Sequence, residues 1–372
     1  RKRRSFLMDY KCRNCGGELA FNPQSGKLKC KYCDTEYDLS EYEDHKGHDH
    51  LPKIPAADGE KAAEKGFDKA TDDTTDVKED LRLYQCSNCG AEVVTDKTTT
   101  ATSCVFCGQP LVLQEQMQGE FKPQLVIPFE VDKKKIEEMY EDYIRSKPFY
   151  PEEYSTANVI EKIKAVYLPF WLFDFQSSGS VTATGEIEHT HTTSNWIITD
   201  HDVYQLDRAG TMEFNDIPVI ASGKTPKNAT DAIEPYDYSK MVPFNKGYLP
   251  GFLAERWDKD QESCHEAAEE RAKNTIQAYL EGTLGRYSHI KVLNWDGQSE
   301  MTDGAYSLMP AYVLFMDYEN DEDKLIAING QTGKVAGNIP VDKGKRNGYF
   351  LKTFLICWLI FAIIGLGIFL VW

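Results

Sequence analysis

Hydrophobic and polar residues alternate along this chain in several distinct patterns, and each pattern predicts a different element. Between Asp132 and Pro148, apolar side chains recur at the i, i+3, i+4, i+7 spacing of an amphipathic helix. Asp132 is suited to cap that helix, and Pro148 to end it. A second helix is predicted to start near Ser263, with Glu266 three residues later in a capping box, and to end at Gly282.

Strand-like segments follow each predicted helix. The run from Val166 to Phe173 is almost wholly apolar, and an alternating pattern continues as far as Ile187. After the second helix, the run from Tyr306 to Phe315 leads into a hairpin whose turn lies at Asn329-Gly330. This order predicts an α+β fold for a body at residues 120–342, with each helix packed on an antiparallel sheet. Two repeated helix-then-sheet units are one interpretation of that body.

The last nineteen residues, Phe354 to Trp372, carry no charge. As a helix they would span roughly 28 Å, close to the thickness of the hydrocarbon layer of a bilayer. We expect one C-terminal transmembrane helix over residues 350–372. Basic residues lie around its start, at Lys343, Lys345, Arg346 and Lys352. The positive-inside rule then predicts a single-pass protein of the cell membrane, with a C-terminal tail anchor and the N-terminal body in the cytoplasm.

Charge changes this picture in two places. The formal net charge is −17, which disfavours a broad surface for the phosphate backbone of nucleic acids. Residues 41–80 hold thirteen acidic residues against six lysines, with few large apolar side chains. They are predicted to be an acidic flexible linker.

Eight of the ten cysteines fall in four Cys-x-x-Cys pairs. Fourteen residues separate the two pairs of each cysteine-rich segment, and every cysteine of the first segment recurs 74 positions later. This repeat indicates an internal duplication that produced two β-rich modules, residues 8–40 and 81–115. The predicted metal ligands are Cys12, Cys15, Cys30, Cys33, Cys86, Cys89, Cys104 and Cys107.

Two Cys-x-x-Cys turns on facing hairpins supply four thiolates for one tetrahedral zinc ion. A disulfide framework or redox dithiols are the alternatives, but disulfides suit an oxidising compartment and a redox pair needs a neighbouring βαβ unit. We therefore predict two structural Zn²⁺ sites, each closed by four cysteines with no position left for water. Glycine follows Cys15 and Cys89, whereas Asp34 follows Cys33 and predicts a slightly different turn there.

Two further groupings share features with metal and phosphate sites. His189, His191 and His201 would form a three-histidine metal site only if strand pairing brought them together, and the alternative is polar residues on a wet sheet face. The segment from Gly330 to Val335 resembles a phosphate loop, but its glycines lie too close together and Val335 replaces the required Ser or Thr. A hairpin turn is the better interpretation.

Cys264 is a candidate nucleophile because it lies near a predicted helix start, beside His265. A lone cysteine in such a segment is more typical of a packing residue than of a catalytic one. We therefore predict no catalytic residues, and we predict that the chain is not an enzyme.

The spacing of Cys12, Cys15, Cys30 and Cys33 resembles that of the TFIIB-type zinc ribbon. The body resembles a bacterial family of zinc-ribbon membrane proteins, often mislabelled as primosomal replication-restart helicase. The segments that carry this resemblance are Tyr167 to Trp171, Ile233 to Tyr238, Leu249 to Trp257 and Asn329 to Lys334. The chain lacks a Walker loop and an Asp-Glu helicase box, so the helicase label does not carry over. Similar proteins lie in gene neighbourhoods with SPFH-domain and phage-shock-type membrane-stress proteins, which implies a role in an envelope-stress complex.

Together these features predict a membrane-anchored zinc-ribbon adaptor or scaffold. Its expected partners are the lipid bilayer and other proteins, with SPFH-domain or phage-shock-type membrane proteins as candidates. The alternative is a zinc-ribbon nucleic-acid-binding protein of replication or transcription. Charge opposes that alternative, because residues 8–40 balance five acids with five bases and residues 84–110 hold two acids and one base. Neither segment has the basic stripe that nucleic acid requires.

Overall fold

The computed structural model describes residues 7–8, 10–42, 81–86, 92–96, 98–103, 110–113, 121–316 and 324–371. These residues form a mixed α+β fold, as the sequence predicts. Residues 43–80, nearly all of the predicted acidic linker, lie outside them. Residues 39–42 form a short 3₁₀ helix whose Tyr42 is buried, so the first module extends two residues beyond its predicted boundary.

The described strands fall into one large sheet of eleven strands, a sheet of three and a sheet of two. In chain order they are β1 (Leu7–Met8), β2 (Leu19–Asn22), β3 (Lys27–Cys30), β4 (Glu36–Tyr37), β5 (Leu81–Gln85), β6 (Glu92–Asp96), β7 (Thr99–Ser103), β8 (Pro110–Leu113), β9 (Leu125–Val126), β10 (Lys164–Thr192), β11 (Ile197–Ile220), β12 (Val242–Pro243), β13 (Leu253–Glu255), β14 (Ser288–Met316), β15 (Lys324–Asn329) and β16 (Val335–Ala336). The three-stranded sheet is β2-β3-β4, and the two-stranded one is β5-β6.

Three long antiparallel strands dominate the large sheet. β10 pairs with β11 on one side and with β14 on the other. At about 3.3 Å per residue, the 29 residues of β10 would extend over roughly 95 Å if straight. The two aromatic runs that follow the predicted helices lie side by side here, with Tyr167 opposite Pro310 and Trp171 opposite Tyr306. The predicted antiparallel pairing is confirmed for these long strands, whereas β13 and β9 pair with β10 and β14 in parallel. The repeat in the sequence corresponds to adjacent strands.

The two ends of these strands differ in burial. Near the start of β10, Phe170 and Phe173 pack into separate hydrophobic clusters on the two faces, and both are fully buried. Further along, helix α4 (Gln261–Gly282) covers one face through Ile276 and Leu280. Residues 186–205, beyond that helix, and residues 288–300, which pair with residues 176–186 of β10, contain no buried side chain. We call these two segments the arm.

The described α-helices are α1 (Lys133–Arg145), α2 (Ala157–Glu161), α3 (Lys227–Ile233), α4 (Gln261–Gly282) and α5 (Lys343–Val371). Asp132 caps α1 as predicted, since its side chain accepts a hydrogen bond from the Lys135 amide at 2.9 Å. Helix α4 begins at Gln261, close to the start predicted near Ser263, but Ser263 is not its cap. Asp260 is the N-cap, and its carboxylate accepts a hydrogen bond from the Ser263 amide at 2.9 Å. It thereby provides a partner for one of the first-turn amides, which have none within the helix. The predicted end at Gly282 is confirmed.

The turn between β15 and β16 is the hairpin that the sequence predicts. Asn329 is fully buried there and donates to the Ile233 carbonyl at 3.0 Å, while its oxygen accepts from the amides of Gln331 and Thr332. The segment that resembles a phosphate loop therefore joins two paired strands.

The C-terminal helix α5 is joined closely to the body at its base. Its segment Lys343–Ile364 is long and apolar enough to cross a membrane, and none of it is buried. The Asp342 amide donates to the Phe149 carbonyl at 2.8 Å, and Lys345 contacts Glu152 at 3.1 Å. The rings of Phe149 and Tyr349 lie 5.3 Å apart. The helix thus begins before the predicted residue 350, on the surface of the body.

Candidate metal centre

Four cysteine thiols of the first module come together at one end of the three-stranded sheet. Cys12 and Cys15 lie in the turn before β2, while Cys30 ends β3 and Cys33 lies in the turn that follows it. The four Sγ atoms all lie within 4.8 Å of one another. Two turns on neighbouring strands thus deliver one cluster, as the spacing predicts.

The two cysteine turns share one backbone conformation. In each turn the amide of the first cysteine donates to the carbonyl five residues later, at 2.7 Å for Cys12 and 2.9 Å for Cys30. Gly16 and Asp34 occupy equivalent places and both have positive φ, +73° and +56°. The expectation of a different turn after Cys33 is therefore wrong. Aspartate is one of the few residues other than glycine that adopts this left-handed region readily.

The distances between the sulfurs fit a metal site. Cys12 Sγ lies 3.5 Å from Cys33 Sγ, and Cys15 Sγ lies 3.5 Å from Cys30 Sγ. A disulfide would bring two sulfurs to about 2.05 Å, so these four thiols are free. Zn–S bonds of about 2.3 Å in a tetrahedron place the sulfurs about 3.8 Å apart, within the range found here.

Neighbouring donors favour the ionised form of two of the four thiols, those of Cys12 and Cys33. Tyr37 Oη lies 3.2 Å from Cys12 Sγ and also accepts from the Asn14 amide at 3.2 Å. Thr35 Oγ1 lies 3.1 Å from Cys33 Sγ. Hydrogen bonds from the Thr35 hydroxyl and then from the Thr35 amide lower the pKa of the Cys33 thiol to about 6. Such partners hold ligands in place for a metal ion.

The module that carries the cluster is packed on the body. Phe21 of β2 donates its amide to the Pro250 carbonyl at 2.9 Å, and its ring meets that of Tyr248 edge-on at 5.1 Å. The neighbouring Phe252 stacks on Phe129, with ring centroids 4.2 Å apart. Aromatic contact therefore runs from the module into the core of the body, and one hydrophobic cluster includes both.

The second set of cysteines is only partly described. Cys86 is buried at the end of β5, whereas Cys89, Cys104 and Cys107 lie outside the described residues. A second four-cysteine cluster is therefore not seen among the residues that the structure describes. Strands β7 and β8 of this repeat join the large sheet, where Ala101 pairs with Ala254 of the body. No local pattern in the sequence predicts that connection.

The structure does not assemble the three-histidine grouping. His201 lies directly opposite Glu188, so it shares a face with the even-numbered residues of β10 in this segment. His189 and His191 lie on the other face, 3.5 Å from Asp202 and 3.6 Å from Asp200. These two histidines are therefore polar residues on an exposed sheet face, which is the alternative interpretation.

Sequence reasoning missed another histidine, His289, which joins His201, Glu186 and Glu188 on that first face. His289 lies on a different strand, far along the chain from its neighbours. The spacing of residues along the chain therefore cannot predict that His289 lies beside them.

Cys264, the candidate nucleophile, lies in the core. Its side chain is buried, and its sulfur lies 3.9 Å from the Ile220 carbonyl oxygen. Burial raises the pKa of the Cys264 thiol. The neighbouring His265 ring instead faces Phe173 and Phe175, at 6.1 and 5.6 Å.

Comparison with known proteins gives one full-length relative. The chain is 30% identical over 368 residues to the Bacillus subtilis (strain 168) protein named uncharacterized protein YdjG, covering 97% of this chain and 99% of YdjG. The chain belongs to the YdjG family. Neither a protein-family model nor a solved structure matches it. The match to YdjG runs almost end to end, so it extends over the cysteine segments, the body and the C-terminal helix.

Proposed function

We propose that this chain is a non-enzymatic, membrane-anchored adaptor built on a TFIIB-type zinc ribbon, which assembles other proteins at the cytoplasmic face of the cell membrane. The observation that carries the proposal is the closed cluster of four thiols in a module packed on the body. A site with four protein ligands leaves no coordination position for substrate or water, so its metal serves folding and not catalysis.

In this proposal the bound Zn²⁺ compensates the charge of four thiolates and supplies folding free energy to a small module. The chain's own residues hold that geometry. The two cysteine turns fix the sulfurs, and Tyr37 and Thr35 donate hydrogen bonds to them. A module of about 30 residues has too small a core to fold independently, which is why it needs the metal or the body, or both.

The arm supports a role in binding proteins. Its exposed apolar side chains include Trp196, Ile197 and Val203, with exposed fractions of 73%, 75% and 65%. Among the described strands, none pairs with the outer edge of β11, and none pairs with the edge of β14 that faces away from β10 between residues 288 and 304. Exposed edges of this kind are surfaces to which a partner can add a strand.

The membrane placement rests on α5. The helix is apolar and exposed, and basic residues lie around its first turns at Lys343, Lys345, Arg346 and Lys352. These charges favour a cytoplasmic body, and the resemblance described above favours SPFH-domain or phage-shock-type membrane proteins as partners in envelope stress.

The test is crosslinking in intact membranes, followed by affinity purification of the tagged full-length chain. We expect specific co-purification of membrane-stress or SPFH-type proteins. Cys30→Ser should reduce it, and Cys357→Ser, at an exposed sulfur in α5, is the matched control. Recovery of the chain without any such protein would contradict the proposal. Salt-dependent binding of DNA or RNA by the same preparation would favour the nucleic-acid alternative instead.

A further inference from the structure

The arm carries a second cluster of metal-ligating side chains, separate from the cysteines. It consists of Glu186 and Glu188 on β10, His201 on β11 and His289 on β14. His201 Nδ1 lies 2.7 Å from Glu186 Oε2, and His289 Nδ1 lies 3.0 Å from Glu188 Oε1 and 3.9 Å from Glu186 Oε2. The ligand atoms of Glu186, Glu188 and His289 all lie within 4.8 Å of one another, and His201 joins this group through its contact with Glu186.

Strand register explains why these four residues meet. Glu186 and Glu188 are two positions apart, so they share one face of β10. His201 lies directly opposite Glu188, and Ser288, which precedes His289, lies opposite Glu186. The pairing of β10 with β14 is irregular between Thr184 and Glu186, and His289 adopts a positive φ of +48°. This local irregularity places the His289 side chain beside the two glutamates.

We propose that Glu186, Glu188, His201 and His289 form a binding site for a divalent transition metal, Zn²⁺ being the ion that suits them best. Tetrahedral zinc with bonds of about 2.1 Å to nitrogen and oxygen places its ligand atoms about 3.4 Å apart. The observed separations of 2.7, 3.0 and 3.9 Å lie on both sides of that value. Rotation of the exposed Glu188, His201 and His289 side chains would bring these separations closer to it.

The donor set argues for zinc over magnesium or calcium. Those hard cations prefer oxygen ligands, whereas two imidazole nitrogens with two carboxylates suit zinc and its neighbours in the first transition row. The opposite face of the arm provides a contrast. There, His189 and His191 each meet an aspartate, at 3.5 and 3.6 Å, but no group of three ligands on that face lies within 4.8 Å among the described residues.

Binding an ion here would have a structural consequence. The four ligands come from β10, β11 and β14, so the metal would join the three strands beyond the region that α4 covers. The histidine–glutamate contacts would be replaced by metal bonds, and binding would release any protons that the imidazoles carry. The site would therefore stiffen the arm in response to the available metal.

The test is a Zn²⁺ titration of the full-length chain in detergent, after its cysteines have been saturated with zinc and excess ion removed. We expect one further equivalent to bind. His289→Asn, which keeps a residue tolerant of positive φ, and Glu186→Gln should each weaken that binding. Each substitution should lower the Zn²⁺ affinity by more than the roughly 10- to 100-fold that follows removal of a residue hydrogen-bonded to a metal ligand. His191→Ala, on the opposite face, should bind like the wild type.

A spectroscopic measurement identifies the ligands. Co²⁺ added to the zinc-saturated chain should show the visible absorption of a tetrahedral nitrogen and oxygen site, without the near-ultraviolet charge-transfer band that sulfur ligands give. Circular dichroism of each variant shows whether the fold is kept. The proposal fails if the wild type takes up no further equivalent, or if folded His289→Asn and Glu186→Gln bind it as tightly as the wild type does.

Discussion

The cysteine cluster and the arm cluster are both groups of four metal-ligating side chains, but they are built in opposite ways. Each pair of thiols comes from one short turn, and two similar turns lie on neighbouring strands. The arm cluster takes its ligands from three strands that are far apart in the chain. The first also contains buried ligands, Cys12 and Cys30, whereas His201 and His289 are exposed. A cluster built from turns is fixed locally, and one built from strand register depends on the whole sheet.

The largest effect that this comparison predicts is loss of the cysteine site. Cys30→Ser, or removal of the metal with a chelator, should unfold the first module, because structural zinc contributes on the order of 10 kcal/mol to small zinc modules. Hydrogen–deuterium exchange of peptides within residues 19–37 should show loss of protection, while the long strands of the body keep theirs. Cys357→Ser should leave the exchange unchanged. Equal protection in Cys30→Ser and the wild type would mean that contacts with the body alone hold the module.

The next effect concerns the contact between the module and the body. Phe21→Ala removes a buried ring from its packing against Tyr248 and Phe252, and should lower the free energy of unfolding by about 3–5 kcal/mol. Denaturant titration of the zinc-loaded chain measures this. Tyr32→Ala is the control, because that ring is 71% exposed and its loss should cost less than about 0.5 kcal/mol. Similar costs for the two variants would show that the aromatic contact does not stabilise the module.

A smaller effect is expected at the partners of the thiols. Tyr37→Phe removes the hydroxyl that lies 3.2 Å from Cys12 Sγ, and should weaken zinc binding by roughly 10- to 100-fold. Competition with a chromophoric chelator measures the affinity, with Tyr32→Phe as the control. If Tyr37→Phe binds zinc with unchanged affinity, the backbone of the turn and not the Tyr37 hydroxyl keeps Cys12 in position.

The smallest effect should come from the arm in the absence of added metal. His201→Ala removes an exposed contact with Glu186, and exposed ion pairs contribute only about 0.2–1 kcal/mol. Denaturant titration in the presence of a mild chelator should therefore give nearly the wild-type free energy of unfolding. A decrease of several kcal/mol in the free energy of unfolding would show that the arm cluster stabilises the fold without metal. The two clusters would then not differ in this respect.

The same contrast explains how much of the protein could be predicted from its sequence. The four-thiol cluster, helix α1 and the hairpin at Asn329 follow from spacings of a few residues, and all three are found. The partnership of His201 with Glu186 and His289 depends on a register set over three strands of 24 to 29 residues. No short motif encodes that register, so the sequence drew attention to His189 and His191, which lie on the wrong face.

The attachment of α5 to the body has a mechanical consequence. The helix starts against Phe149 and Glu152, so described residues join it to the body without a free hinge at that point. A helix that crosses a bilayer tilts when the membrane becomes thinner. Tilting of α5 would then rotate the body about the start of that helix. The ends of β10 and β11 farthest from α5 would move the greatest distance. If α5 spans the membrane as proposed, a change in membrane thickness would therefore change the position of the arm.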